Sequence, residues 1–201
     1  LLLNCKIVDE VQIMRKTVID GSTPTSFQRT MIIGKDGYVK YKGKKIPITY
    51  VGLEEDAAAI VSETEKEAVF RLNRIGVPLV EIDTGIIEGF SPEEIQDIAL
   101  TIGLIGKSTR KIKRGIGSIR QDVNISTTGE RVELKGIQDL NLMAKFVAIE
   151  IDRQLSLPKV PKETRSVNPD GTSRFTRPLP GANRMYPETD IDPVTITKEM
   201  V

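Results

Sequence analysis

Three consecutive acidic residues, Glu54, Glu55 and Asp56, follow a predicted strand in the first half of the chain. Carboxylate oxygens are the ligands that Mg²⁺ and Ca²⁺ prefer, and the end of a strand fixes the direction in which such side chains point. The same residues also suit a solvated turn, or the first turn of a helix over residues 57–61, where the positive end of the helix dipole favours acids. The pattern indicates either a metal site or an acidic turn.

A further acidic residue, Glu81, lies in a strongly apolar predicted strand. Alternation along that strand places Glu81 and Asp83 on the same face as Val77 and Leu79. A carboxylate among apolar side chains needs a partner. That partner is either an arginine such as Arg74, in an ion pair, or a metal ion, and the local pattern leaves both open.

A predicted hairpin over residues 119–126 and 131–136 has one polar face and one mostly apolar face. The polar face is either a solvated surface with cross-strand ion pairs or a floor on which phosphates, a metal ion and a polar substrate rest. The side chains that could contact such ligands are Arg120, Asp122, Asn124 and Lys135.

The charge of the chain limits the partners that it can bind. The net charge is +1 over 201 residues, so the chain is not a general polyanion binder. One basic cluster occurs at residues 107–114, and Lys111 and Lys113 within it are candidates for contact with nucleic-acid phosphates. Histidine is absent and Cys5 is the single cysteine, which we expect to be a buried structural thiol. A metal ion held by this chain alone would therefore take oxygen ligands, which indicates magnesium or calcium and not zinc.

The elements that position these residues are mostly strands. Helices are predicted over residues 92–104, where Ser91 begins a capping box, and over residues 140–155, where apolar residues trace one face. The fold class is therefore α+β. β-branched residues and turn signals predict strands over 11–20, 27–33, 38–41, 46–53, 68–72, 77–82, 119–126 and 131–136, with a hairpin turn at 35–37.

The end of the chain differs in composition from the rest. Residues 158–201 contain seven of the 11 prolines, and this composition predicts a segment that lies on a surface without building a sheet. The whole sequence is 39% hydrophobic and 28% charged, which is typical of a globular domain. It has no apolar run of about 18 residues and no signal sequence, so we expect a cytoplasmic protein with no membrane contact.

Four motifs occur in the order and spacing of a known family: GLEEDA at 52–57, NRIGVPLVEI at 73–82, GSIRQDVNIS at 117–126 and ELKG at 133–136. Together they resemble the family formed by the B-type and E-type subunits of tRNA-dependent amidotransferases, over nearly the whole chain. Two motifs of the tail, RPLPG at 177–181 and RMYPETD at 184–190, are similar to those of the archaeal, E-type members in particular.

This resemblance implies a cradle-shaped domain with a curved antiparallel sheet and packed helices, similar in fold to glutamine synthetase and the guanidino kinases. It implies that ATP phosphorylates the γ-carboxylate of glutamate on tRNA(Gln), and that ammonia from an asparaginase-like partner, the D-type subunit, then displaces the phosphate. ATP and Mg²⁺ are the implied cofactors, and Glu55 and Glu81 match the family's magnesium ligands. The predicted catalytic residues are Glu55, Glu81, Arg120, Asp122, Asn124 and Lys135, with Lys111 and Lys113 as tRNA-binding residues.

Two features depart from the family pattern. The family's magnesium site also uses a Glu-Ile-His segment near the N terminus, and this histidine-free sequence has no counterpart to it. The archaeal members also carry a synthetase-like insertion after the second predicted helix, whereas here the flanking segments abut. We therefore expect a catalytically incomplete chain, in which residues 1–157 form the main part of the cradle domain and residues 158–201 continue it.

Two other classes of function fit parts of the sequence. One is a noncatalytic tRNA-binding module that uses the basic cluster, and the other is a ligase that joins a small carboxylate to an amine. The catalytic interpretation carries an architectural expectation that the alternatives lack. It predicts that Glu55, Glu81, Arg120 and Asp122 line one concave sheet face, because alternation brings the polar sides of three strands together.

Overall fold

The structure is a computed structural model that describes residues 1–115, 117–168, 170–179 and 181–201. Its α-helices are α1 (Pro92–Ser108) and α2 (Met143–Ser156), and short 3-10 helices lie at Leu140–Leu142, Ala182–Arg184 and Lys198–Met200. Among the described residues no helix is long and apolar enough to cross a membrane. The strands are β1 (Lys6–Ile7), β2 (Glu10–Val11), β3 (Ile13–Thr17), β4 (Phe27–Tyr41), β5 (Lys44–Glu55), β6 (Ala59–Glu63), β7 (Ala68–Arg71), β8 (Pro78–Thr84), β9 (Gln121–Ile125), β10 (Val132–Ile137), β11 (Glu163–Val167), β12 (Ser173–Pro178), β13 (Met185–Pro187) and β14 (Val194–Thr195).

The chain forms two compact units, one of Leu1–Ile86 with Gly181–Val201 and one of Ile87–Pro180. The first unit contains a six-stranded antiparallel sheet with the order β13-β3-β4-β5-β8, in which β1 also pairs with β4. Two smaller pairs, β2 with β14 and β6 with β7, complete it. The α+β class is confirmed, although the strands are divided over separate sheets.

The long strand β4 corrects one prediction. It runs without a break through residues 35–37, where the sequence predicts a hairpin turn, and the chain reverses at Lys42 and Gly43, both with positive φ (45° and 79°). Gly37 has another purpose, since a Cβ there would clash with Sγ of Cys5 and with the carbonyl oxygen of Leu3. The glycine lets the N-terminal segment pass closely over the strand. Cys5 itself is half-buried rather than fully buried.

The second unit packs two helices against one face of a four-stranded sheet with the order β12-β11-β10-β9. The pair β10–β11 is parallel and the other pairs are antiparallel. A fully buried aliphatic or aromatic side chain contributes roughly 1.5–3 kcal/mol to folding. The core between the helices and the sheet includes Val132, Leu134, Ile137, Met143 and Phe146.

Local signals locate the helices well. The Ser91 hydroxyl accepts a hydrogen bond from the backbone N–H of Glu94 (3.3 Å), and the Glu94 carboxylate accepts one from the backbone N–H of Ser91 (3.0 Å), so the predicted capping box is confirmed. α1 continues to Ser108, beyond the predicted end at residue 104. The second predicted helix is α2, preceded by the 3-10 turn at Leu140–Leu142.

The prediction that the C-terminal segment builds no sheet is wrong. Its strands β11 and β12 form half of the four-stranded sheet, and β13 and β14 pair with β3 and β2. The prolines are compatible with this because Pro178 and Pro187 are the last residues of strands at sheet edges. Proline content therefore marks the ends of these strands and not their absence.

Candidate functional site

The acidic run at the end of β5 is not the start of a helix. β5 ends at Glu55, and the chain then enters the strand β6 at Ala59. Glu54 and Glu55 are consecutive strand residues, so their side chains project to opposite faces of the six-stranded sheet. The buried Asp56 pairs with Arg74, whose Nε lies 3.7 Å from its carboxylate. Arg74, the predicted ion-pair partner of Glu81, is therefore engaged elsewhere.

Glu55 faces Arg29 of the neighbouring strand β4. The backbone N–H of Arg29 donates to the Glu55 carboxylate at 3.2 Å, and Nη1 of the same arginine lies 3.3 Å from it. Both residues line a cavity of about 160 Å³, together with Gln28 and Thr23. The Thr23 hydroxyl is buried and has no hydrogen-bond partner among the described residues. One predicted site residue therefore borders a small cavity that contains both polar and apolar side chains.

Arg29 is itself held by Glu188, which lies in the RMYPETD motif but was not among the predicted site residues. The Glu188 side chain is 1% exposed and accepts hydrogen bonds from Nε of Arg29 (2.6 Å) and Nε of Arg15 (2.8 Å). The backbone N–H groups of Thr189 (2.7 Å) and Asp190 (2.9 Å) donate to it as well. The hydrogen bonds from Arg15 are the main reason that the pKa of the Glu188 carboxyl lies well below its usual range. A fixed anion thus orients two arginines on the sheet face that carries Glu55.

Glu81 lies on the other face of the same sheet. In the β5–β8 register Glu81 is opposite Gly52, whereas Glu55 is opposite Pro78. Directly paired residues share a face and successive residues alternate, so Glu55 and Glu81 point away from each other. The prediction that they line one face is wrong. Glu81 is also exposed, which differs from the expectation of a partly desolvated carboxylate.

Glu54 shares the face of Glu81 and forms an ion pair with Lys16 of β3. Tyr50, on the same face, is flanked by Glu81 and Asp83. Burial is the largest cause that raises the pKa of the Tyr50 hydroxyl, followed by the negative charges of Glu81 and Asp83 and a hydrogen bond with Glu81. This face therefore combines a lysine, a phenol that keeps its proton and three carboxylates.

The four-stranded sheet has the polar face that the sequence predicts. Asn124 is opposite Glu133 in the β9–β10 pair, and the same register places Asp122 beside Lys135. Nζ of Lys135 lies 2.7 Å from Asp122 and 3.4 Å from Glu133. The helices cover the opposite face, where Val132 and Leu134 are buried. Lys135 is thus a half-exposed cation held between two carboxylates.

The predicted site residues do not all belong to one sheet. Glu55 and Glu81 lie in the six-stranded sheet, whereas Asp122, Asn124 and Lys135 lie in the four-stranded one and Arg120 directly precedes β9. The expectation of one common sheet face is therefore wrong for Arg120 and Asp122 as well. It failed because alternation assigns faces within a sheet and cannot tell which strands pair.

Two further predictions concern a metal ion and nucleic acid. Within the described part of the chain no group of three or more acidic, histidine or cysteine side chains lies close enough to hold a metal ion. Lys111 and Lys113 are exposed in the segment after α1 and form no ion pair with any described residue. Their side chains are available to solvent.

The fold and these polar faces define an α+β domain with ionic sites on two open sheets. The sequence matches the GatB/GatE catalytic domain family over residues 1–201, and the chain belongs to that family. The E-type subunit of glutamyl-tRNA(Gln) amidotransferase from Thermococcus gammatolerans is 45% identical over 191 residues, which are 94% of this chain and 29% of the relative. The E-type subunit from Pyrobaculum islandicum is 45% identical over 165 residues, or 82% of this chain and 27% of the relative.

A third relative differs in how it aligns. The E-type subunit from Archaeoglobus fulgidus is 31% identical over 333 residues, which are 100% of this chain and 54% of the relative. Because this chain has 201 residues, that relative carries inserted residues within the matched stretch. The chain spans about half or less of the length of these relatives. The resemblance to archaeal members of the family is confirmed.

Proposed function

We propose that the protein containing this chain converts Glu-tRNA(Gln) to Gln-tRNA(Gln). In this proposal ATP phosphorylates the γ-carboxylate of the tRNA-bound glutamate, and ammonia then displaces the phosphate. The ammonia comes from an asparaginase-like partner, the D-type subunit. The chain supplies part of the catalytic core, and the tRNA is selected by the protein as a whole.

The observation that carries this proposal is the polar face around Lys135, in a chain whose relatives are named as amidotransferase subunits. Asp122 and Glu133 hold the ammonium group of Lys135 at a fixed place on the open face. A positioned cation stabilises the negative charge that develops on phosphoryl oxygens, which is the main catalytic requirement of phosphoryl transfer. Asn124, beside them on the same face, offers an amide for a further hydrogen bond. Arg120 adds a second positive charge close to β9.

ATP and Mg²⁺ are proposed cofactors because the resemblance implies them. Glu55 and Glu81 do not fit as ligands of one shared ion, since they lie on opposite faces of the sheet. Glu54 shares the face of Glu81, but an ion bound by both would require Glu54 to release Lys16. We therefore assign no step of the reaction to an ion held by Glu55 and Glu81 together.

The proposal is tested with the full-length protein and its partner subunit, by following Gln-tRNA(Gln) formation with and without ATP. We expect ATP-dependent conversion, and a loss of about a hundredfold or more for Lys135→Met, as is typical when one electrostatic donor is removed from an active site. Lys159→Met is the matched control, because Lys159 is an exposed loop lysine. Conversion without ATP, or a Lys135→Met variant that matches Lys159→Met, would contradict the proposal. Binding of tRNA without any conversion would favour a noncatalytic tRNA-binding module.

A further inference from the structure

The polar face of the four-stranded sheet extends beyond the predicted site onto β11 and β12. The register aligns Lys135 of β10 with Ser166 of β11 and Arg174 of β12. A second row joins Glu133 to Thr164 and Arg177 in the same way. Residues in register across a sheet share a face, so the C-terminal strands add Ser166 and two arginines to the face of Lys135, whereas the buried Thr164 hydroxyl donates to Glu133 at 3.0 Å.

The charges on this face are unevenly distributed. Asp122 and Glu133 are both within ion-pair distance of Lys135. Strands β11 and β12 contribute no acid to this face, because their one acidic residue, Glu163, pairs with Val132 on the opposite, helix-covered side. The half formed by β11 and β12 is therefore positively charged.

Arg174 and Arg177 are exposed, and neither forms an ion pair with any residue that the structure describes. Arg165, on the helix-covered side of β11, shows the contrast. Its guanidinium donates to Glu163 at 2.8 Å and to the hydroxyl and carbonyl oxygens of Ser173 at 2.7 Å each. The structural arginine of these strands is fully engaged, whereas the two on the polar face are available to a ligand.

We infer that Arg174 and Arg177, with Ser166, form a binding surface for phosphoryl groups. A guanidinium presents paired N–H donors that match phosphate oxygens, and it stays charged at any physiological pH. The two arginines are aligned with β11 positions two residues apart, which are about 7 Å from each other along a strand. This separation suits successive phosphoryl groups of one ligand better than a single anion.

Phosphoryl groups of this kind belong to tRNA or to ATP, and the inference rests on the proposed function for this choice. An RNA strand fits the observations better, because both arginines are exposed on the face of an edge strand, β12. RNA backbones are bound on such faces through counterion release, whereas a nucleotide triphosphate is usually enclosed.

The test uses Arg174→Gln and Arg177→Gln in the full-length protein with its partner subunit. Affinity for uncharged tRNA(Gln) is measured over a range of salt concentrations, and affinity for a nonhydrolysable ATP analogue is measured separately. Arg71→Gln is the matched control, since Arg71 is an exposed strand arginine of the other unit. We expect each variant to reduce the slope of log affinity against log salt by about 0.7–0.9, the value of one lost phosphate contact.

Weaker binding of the ATP analogue with an unchanged salt slope would also support a phosphoryl surface, with ATP as its source. If both variants match Arg71→Gln in both measurements, the inference is wrong. Binding is measured without turnover, so this result is independent of whether the protein amidates Glu-tRNA(Gln). Failure of the proposed function would appear instead as an absence of Gln-tRNA(Gln) formation by the unchanged protein.

Discussion

Single residues of the six-stranded sheet differ in their surroundings even where the sequence places them together. Glu54 and Glu55 are neighbours in the chain, yet one pairs with Lys16 and the other with Arg29 on opposite faces. Glu81 shares the face of Glu54. The role of each carboxylate therefore follows from its face, and substitutions can separate these roles.

Replacement of each carboxylate by glutamine keeps its shape and removes its charge. We expect Glu81→Gln and Glu54→Gln to lower Gln-tRNA(Gln) formation about a hundredfold, with a raised requirement for magnesium, because the two carboxylates share a face and together hold an ion once Glu54 releases Lys16. Glu55→Gln should have a smaller effect with an unchanged magnesium requirement. The measurement is the initial rate at varied magnesium. The resemblance assigns Glu55 and Glu81 as magnesium ligands, whereas the strand register places Glu54 and Glu81 on one face. If Glu55→Gln raises the magnesium requirement as much as Glu81→Gln while Glu54→Gln matches the unchanged protein, the assignment from resemblance is right and the one from the register is wrong.

The lowered pKa of the Glu188 carboxyl makes the stability of the folded protein dependent on pH. In the folded protein the pKa of the Glu188 carboxyl is lowered from its ordinary value of 4.5, chiefly by hydrogen bonds from Arg15. The contribution of Glu188 to stability is therefore fully present above about pH 4.5. That contribution is lost as the pH falls below 4.5 towards the folded pKa. We expect Glu188→Gln to lower the melting temperature at pH 7 by several degrees and to flatten its decline below pH 4.5. Thermal unfolding at several pH values measures both effects. Parallel curves for the two proteins would show that Glu188 does not carry this dependence.

At the scale of elements, local signals and nonlocal pairing contribute differently. The capping box of α1 and the alternation in β9 and β10 involve residues close in sequence, so the helix and the polar face of the hairpin were predictable. The pairing of β10 with β11 is parallel and crosses α2, which no local pattern reports. The contact between Arg15 and Glu188 joins residues 173 positions apart. These long-range contacts explain why Arg29, Glu188, Arg174 and Arg177 were absent from the predicted site.

The close passage of the N-terminal segment over β4 makes Gly37 sensitive to substitution. We expect Gly37→Ala to destabilise the protein by about 1–3 kcal/mol, because the added methyl group overlaps Cys5 and the Leu3 carbonyl oxygen. Gly103→Ala is the matched control, since its Cβ meets nothing within 4 Å and alanine is favoured over glycine inside a helix. Chemical denaturation gives both free energies. Equal stability of Gly37→Ala and the unchanged protein would show that the segment does not pack as described.

The segment after α1 carries the proposed tRNA contacts. We expect Lys111→Gln and Lys113→Gln to weaken tRNA binding and to make its salt dependence shallower, because each lost phosphate contact releases roughly one fewer counterion. Lys66→Gln is a suitable control, since Lys66 is exposed in the other unit. Affinity is measured at several salt concentrations. An unchanged slope for both lysine variants would leave this segment without a role in tRNA binding.

The whole molecule consists of two units that each expose a polar sheet face. The first has carboxylates, a lysine and a protonated tyrosine on one face, and the second has Lys135 with its two carboxylate partners. The family match covers both units, but the related subunits are about three times as long as this chain. Activity is therefore a property to be measured on the full-length protein together with the proposed partner subunit.

The most direct test of the central claim is transfer of the γ-phosphoryl group from ATP to tRNA-bound glutamate in the absence of any ammonia donor. We predict that the full-length protein labels Glu-tRNA(Gln) from γ-labelled ATP, and that Lys135→Met loses this labelling about a hundredfold while it still binds tRNA. Addition of ammonia should discharge the label as inorganic phosphate and yield Gln-tRNA(Gln). Labelling that does not require the glutamate on the tRNA, or amidation that proceeds with no labelled intermediate and no ATP, would contradict the account.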